Sequence, residues 1–187
     1  MWRRLGCFGA MLAVLAAPAS ASTFALDTSA FLNGGLIPAT DASDSDHCGG
    51  RNVSPPLFFL DFPTATRSFA VVVFDTDAGG GRGFVHWVAY GIRPSLTSLP
   101  PGFGSQPSDG FTGGTNDPGT AIYFGPCPPP GDKPHHYVIT AYALDLAPNA
   151  LPAGLTRAAF LRAVAKHVLA QAEITGLYAR PVTKENT

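Results

Sequence analysis

Two carboxylates one residue apart, Asp75 and Asp77, end the apolar run 68–74 and lead into the glycine turn Gly79-Gly80-Gly81-Arg82-Gly83. The next apolar run carries His86 beside Trp87. A third opens His135-His136-Tyr137, after the stiff segment Gly125-Pro126-Cys127-Pro128-Pro129-Pro130. Each of these groups lies at the mouth of an apolar run, beside a Gly/Pro loop. If those mouths converge, two acids, two imidazoles and a phenol form a polar floor between proline walls. Histidine and tyrosine donate to phosphate oxygens, and glycine turns offer backbone N–H groups. A carboxylate cannot accept from a fully ionised phosphate, so Asp75 and Asp77 would instead orient a histidine and set its charge or tautomer. The chemistry expected is capture of a small anion or a phosphate-bearing head group, with His86 and His135 as donors and Tyr137 as anchor.

Other uses of the same residues stay open. Asp75 and Asp77 can cap the N–H groups of their own turn, and the histidines can be hydrogen-bonded core residues. Asp75-x-Asp77-x-Gly79 echoes the start of a calcium loop, but His86 stands where the closing acid belongs. Zinc could take His86, His135 or His136 with an acid, yet neither a His-Glu-x-x-His run nor paired cysteine spacing is present. No metal or cofactor is expected. A weak hydrolase would use Cys127 or His135, without a Gly-x-Ser-x-Gly elbow, and Cys127 would need a free thiol.

Positioning these groups requires strands. The run 68–74 is short, apolar and rich in valine, which reads as a strand buried on both faces. Residues 84–92 form the next strand, with Phe84, His86, Val88, Tyr90 and Ile92 on one side. Residues 135–144 form another, sharing His135, Tyr137, Ile139 and Ala141 on a face. A weak strand over 24–31 and a short one over 57–62 precede them. Residues 93–121 read as an irregular excursion without strands, a length often given to function. Thr156 is placed to N-cap a helix of about 18 residues over 157–174. Its stripe is Phe160, Leu161, Val164, Val168, Leu169 and Ala172, and Gly176 is its C′ residue. Residues 40–51 read as a solvated acidic loop, and Asn52-Val53-Ser54 matches a glycosylation sequon.

The chain begins Met1-Trp2-Arg3-Arg4, continues with an apolar run over 5–17, and reaches Ala19-Ser20-Ala21. That is the pattern of a removed leader over 1–21, and the run is too short for the about 20 residues of a spanning helix. Residues 22–187 are then one exported domain, periplasmic or secreted. The formal charge is −1. With no basic cluster, this argues against a nucleic-acid partner. Gly 21 and Pro 18 fit a loop-rich β fold rather than a helical one. After loss of Cys7, Cys48 and Cys127 remain and can form one bridge, with two buried thiols as the alternative.

Several ordered motifs resemble the phosphatidylethanolamine-binding protein family, in its bacterial Raf-kinase-inhibitor-like branch. They are 48–57 (Cys-Gly-Gly-Arg-Asn-Val-Ser-Pro-Pro-Leu), 69–78, His86-Trp87, Gly125-Pro126-Cys127-Pro128-Pro129, 135–145 and 167–178. The resemblance implies a mainly β, two-sheet sandwich with few helices and long irregular loops. It also implies an anion pocket made by Asp75, Asp77, His86, Cys127, Pro129, His135 and Tyr137. The alternative it allows is a protein-binding inhibitor of a protease or other partner, acting through a surface such as the excursion 93–121. The family's Asp-Pro-Asp-Ala-Pro is here Asp75-Thr76-Asp77-Ala78-Gly79, its His-Arg-Tyr is His135-His136-Tyr137, Gly91 replaces an asparagine and Phe59 a tryptophan.

Overall fold

The computed structural model describes residues 23–45 and 48–180. The expected leader lies outside the described residues. Among the described residues, eight strands and one helix longer than a single turn follow in the order β1 (Ala25–Asp27), β2 (Leu57–Leu60), β3 (Ser68–Asp75), β4 (Phe84–Ile92), β5 (Ser98–Leu99), β6 (Thr112–Gly113), β7 (His135–Leu144), α1 (Arg157–Val164) and β8 (Val168–Tyr178). They make two antiparallel sheets, one ordered β1-β2-β5 and one ordered β6-β4-β3-β7-β8. The fold is the expected mainly β sandwich.

The larger sheet is buried on both faces because its central strands are apolar on both. Phe69, Val71, Val73, Trp87, Ala89, Ile139 and Ala141 face Phe24, Leu26, Leu57, Phe59 and Leu99 of the smaller sheet. On the opposite face Ala70, Val72, Val88, Tyr90, Tyr142 and Leu144 pack against Phe160 and Val164 of α1. The Thr156 cap is present, its hydroxyl accepting from the Ala159 N–H at 3.3 Å.

The helix is shorter than the sequence suggests. It stops at Val164, and residues 168–178 form β8 instead of its second half. The stretch from Val168 to Tyr178 satisfies period two as well as period 3.6, because Val168, Ala170, Ala172 and Ile174 alternate with Leu169, Gln171 and Glu173. What decides is β7, whose full length would otherwise be an unpaired edge: β8 pairs with it from His135–Tyr178 to Leu144–Val168. Gly176, expected just past a helix end, lies opposite Tyr137 in this ladder. A side chain there would run into Ile37 and Phe31. The excursion 93–121 holds two two-residue strands, β5 and β6, which sequence periodicity is too short to reveal.

Strict alternation also fails in β4. Pairing steps from Val73–Trp87 to Phe74–Val85, so His86 is an extra residue, and from Val71–Ala89 to Phe69–Ile92, a second irregularity at which Gly91 takes φ 69°. These bulges put His86 and Ile92 on the inter-sheet side, while Val88 and Tyr90 stay under α1. A bulge re-aims one side chain without changing the strand's direction.

Candidate functional site

Asp75 is the last residue of β3 and pairs directly with Tyr137 of β7. His135 stands two residues before Tyr137 on the same face, and the bulge turns His86 toward them. The His86 ring meets Tyr137 edge-on with centroids 5.1 Å apart, and the His135 ring stacks on Tyr137 at 6.5 Å. All seven residues singled out in the sequence (Asp75, Asp77, His86, Cys127, Pro129, His135 and Tyr137) line one open cavity of about 310 Å³. Phe84, Phe124, Pro128, Asp132 and the turn residues 78–80 line the rest of it.

Asp75 does two jobs. Its Oδ1 accepts from the N–H groups of Asp77 (2.9 Å) and Ala78 (3.1 Å), the turn cap that sequence reading left open. Its Oδ2 accepts from His135 Nδ1 at 2.7 Å, with both side chains almost fully buried. Asp77 is exposed and serves a different histidine: its Oδ2 accepts from the His136 N–H (2.7 Å) and Nδ1 (2.9 Å). Those bonds hold its carboxyl below the usual range. Asp77 therefore pins the turn to β7.

The two pocket imidazoles are shifted in opposite directions. Burial works against charge on His135, but the Asp75 hydrogen bond and charge, with Asp132 and Asp77, outweigh it and raise the pKa. His135 Nε2 lies 3.6 Å from Asp132 Oδ2. Burial pushes His86 down to about 4, despite its bond to the Phe124 carbonyl. His86 Nδ1 donates there at 2.7 Å. The neutral ring with Nδ1–H bound to that carbonyl carries its lone pair on Nε2, where it accepts. Tyr137 is buried, its hydroxyl makes no well-formed hydrogen bond, and its pKa is raised by burial and by the Asp75 charge.

This difference predicts a pH response. The His86 pKa is lowered on folding, so its neutral form supports stability fully above 6.5. That support is lost as pH falls toward 4. The loss amounts to about 3 kcal/mol. His86→Asn, whose amide can still donate to Phe124, should flatten this acid limb in urea midpoints measured between those pH values. An unchanged limb would assign it to other groups.

The wall is held from a distance. Asn52 Oδ1 accepts from the Gly125 N–H at 2.7 Å, and its Nδ2 donates to the Tyr123 carbonyl at 3.0 Å. The Ser43 N–H donates to the Pro126 carbonyl, and Tyr123 donates to the Asp41 carbonyl. Gly125 packs so closely on Asp41 and Ala42 that no side chain fits. A disulfide joins Cys48 to Cys127, Cα atoms 5.3 Å apart, so Cys127 is not a free nucleophile. The sequon match fails physically, because Asn52 uses its amide inside the fold. Asn116 braces β4 in the same way, donating to the carbonyls of His86 and Ile122. Sequence reading missed Asn52, Asn116 and Asp132. Only the i, i+3 spacing of Asp132 and His135 carried a local signal.

The sequence profile of the family described as phosphatidylethanolamine-binding protein matches residues 27–179. A UPF0098 protein of Methanothermobacter thermautotrophicus is 39% identical over 158 residues, covering 83% of this chain and 98% of that protein. The crystal structure of Escherichia coli YbcL, described as a new member of the mammalian PEBP family, superposes with a TM-score of 0.77 at 33% identity. That match covers 84% of this chain and 99% of the other. A Mycobacterium tuberculosis relative named as a lipoprotein, LppC, is 38% identical over 148 residues, covering 79% of this chain and 68% of that protein.

Proposed function

Because the chain belongs to the phosphatidylethanolamine-binding protein family, we propose that its cavity binds a small anion or the phosphate of a head group, without turning it over. The observation that carries this reading is the convergence on one cavity of His135, paired with Asp75, of neutral His86, and of Tyr137, whose hydroxyl has no well-formed hydrogen bond and only the Asp75 carboxylate near it. His135 supplies charge and an Nε2–H donor, Tyr137 supplies an O–H donor, and the Ala78–Gly81 turn brings backbone to the rim. His86 Nε2 accepts, which suits a phosphate that still carries one proton. Asp75 keeps His135 charged and aimed.

Export to the periplasm or beyond belongs to the same proposal. It is supported by the basic-then-apolar start with Ala19-Ser20-Ala21, by the disulfide, and by a relative named as a lipoprotein. Among the described residues no helix is long and apolar enough to cross a membrane. A protein partner docked on the excursion 93–121 is less favoured. Ser105 bonds Ser54 and Asn52, and Gly104 packs on Trp87, so much of that segment is tied to the core.

Calorimetric titration with inorganic phosphate and with phosphoethanolamine tests the reading. The wild type should release binding heat, and His135→Ala should lose at least ~10-fold in affinity, as expected for removing a charge-assisted hydrogen bond. Equal heats from the two proteins would remove the cavity as the binding site.

A further inference from the structure

The disulfide is asymmetric. Cys48 is 5% exposed and lies outside the cavity lining, whereas Cys127 is half-buried and part of that lining. Arg180, just past the end of β8, points Nη1 at Cys127 Sγ across 3.6 Å. Among the described residues no carboxylate lies within ion-pair distance of Arg180, and its Nε has no partner. Among the described residues, then, no carboxylate balances the guanidinium that is directed at Cys127 Sγ. Prolines on both sides hold Cys127 in place, and Ser43, Asn52 and Gly125 anchor the segment independently of the bridge.

We propose that the cavity is also a thiol–disulfide exchange site, at which a small thiol attacks Cys127 rather than Cys48. The incoming thiolate forms a new S–S bond to Cys127 Sγ. The Cys48–Cys127 bond breaks, its electron pair goes to Cys48 Sγ, and that thiolate takes a proton from water. No net oxidation occurs. Which sulfur is attacked depends first on access, and access favours Cys127, which lines the cavity while Cys48 does not. Arg180 attracts the anion and stabilises negative charge as it spreads over the sulfurs. Cys48, still held close, is the resolving thiol that restores the bridge. While the adduct persists it occupies the roughly 310 Å³ cavity, so a thiol and an anion exclude one another.

The test uses the folded, oxidised protein with reduced glutathione at mildly alkaline pH, where the thiol is partly ionised. The reaction is stopped by acid and the modified residue located by peptide mass spectrometry. The expected product carries glutathione on Cys127 and a free thiol on Cys48. Arg180→Gln should form it about fivefold more slowly, the loss of one nearby charge, with an unchanged near-ultraviolet spectrum. Cys48→Ser, which removes the resolving thiol, should take a stable adduct on Cys127 from oxidised glutathione, while Cys127→Ser should take none. Glutathione on Cys48, or reaction only after denaturation, would overturn the inference. The position of the adduct decides this point and phosphate calorimetry decides the binding reading, so either can fail alone.

Discussion

Asp75→Ala should lower stability by about 4 kcal/mol, the cost of removing one partner from a buried hydrogen-bonded charge pair. In a domain of this size that is a fall of roughly 12 °C in melting temperature. The effect is large because one carboxylate satisfies three donors: His135 Nδ1 and the N–H groups of Asp77 and Ala78. Removing it leaves a largely buried imidazole without its partner and a glycine turn without its cap. Asp75→Asn retains an oxygen for the turn and should lose clearly less. The pH dependence carries a second signature. The His135 pKa is raised on folding, so its contribution is whole below 6.5 and fades as pH rises through the higher folded value. Asp75→Ala should abolish that alkaline decline together with phosphate binding. Denaturant midpoints against pH would show it, and a variant with wild-type stability would mean that the Asp75–His135 pair does not exist in solution.

Replacing both bridge cysteines by serine should cost about 4.5 kcal/mol in the chain-entropy account of a loop this long. The bridged residues are 79 apart. Unlike Asp75→Ala, the double serine variant should keep its pH profile, because neither pocket histidine bonds to either cysteine. It should still bind phosphate once folded, more weakly, since Asn52, Ser43 and Tyr123 continue to hold the wall. Equilibrium unfolding of the oxidised wild type against this variant measures the difference. A gap below about 1 kcal/mol would mean that the noncovalent anchors already constrain the segment, as happens when the unbridged chain keeps residual structure.

Much of this architecture could be read from residue pattern. The strands over 84–92 and 135–144 occur where their apolar runs and Gly/Pro flanks place them, because both faces of each are buried. The groups that line the cavity were legible for a related reason: a charged or aromatic-polar residue at the mouth of a buried strand needs a partner, so it stands out. What stayed hidden depends on distant chain. Residues 168–178 fit a helix until β7 offers an edge to pair with. The direction of the His86 side chain follows from a bulge, which no alternation rule contains. Asn52 looked like a modification signal, and its use emerges only when Gly125, 73 residues later, packs against it.

Two halves of the cavity come from chain segments of very different reach. Asp75 and His86 belong to the β3–β4 hairpin, joined by a short turn, whereas His135, Tyr137 and Cys127 arrive only when β7 closes on β3 across some sixty intervening residues. Hairpins assemble locally, and long closures come late because their entropy must be overcome first. An occupant can therefore recognise the finished molecule but hardly its precursors. It would act as a brake on unfolding and leave the rate of folding almost untouched.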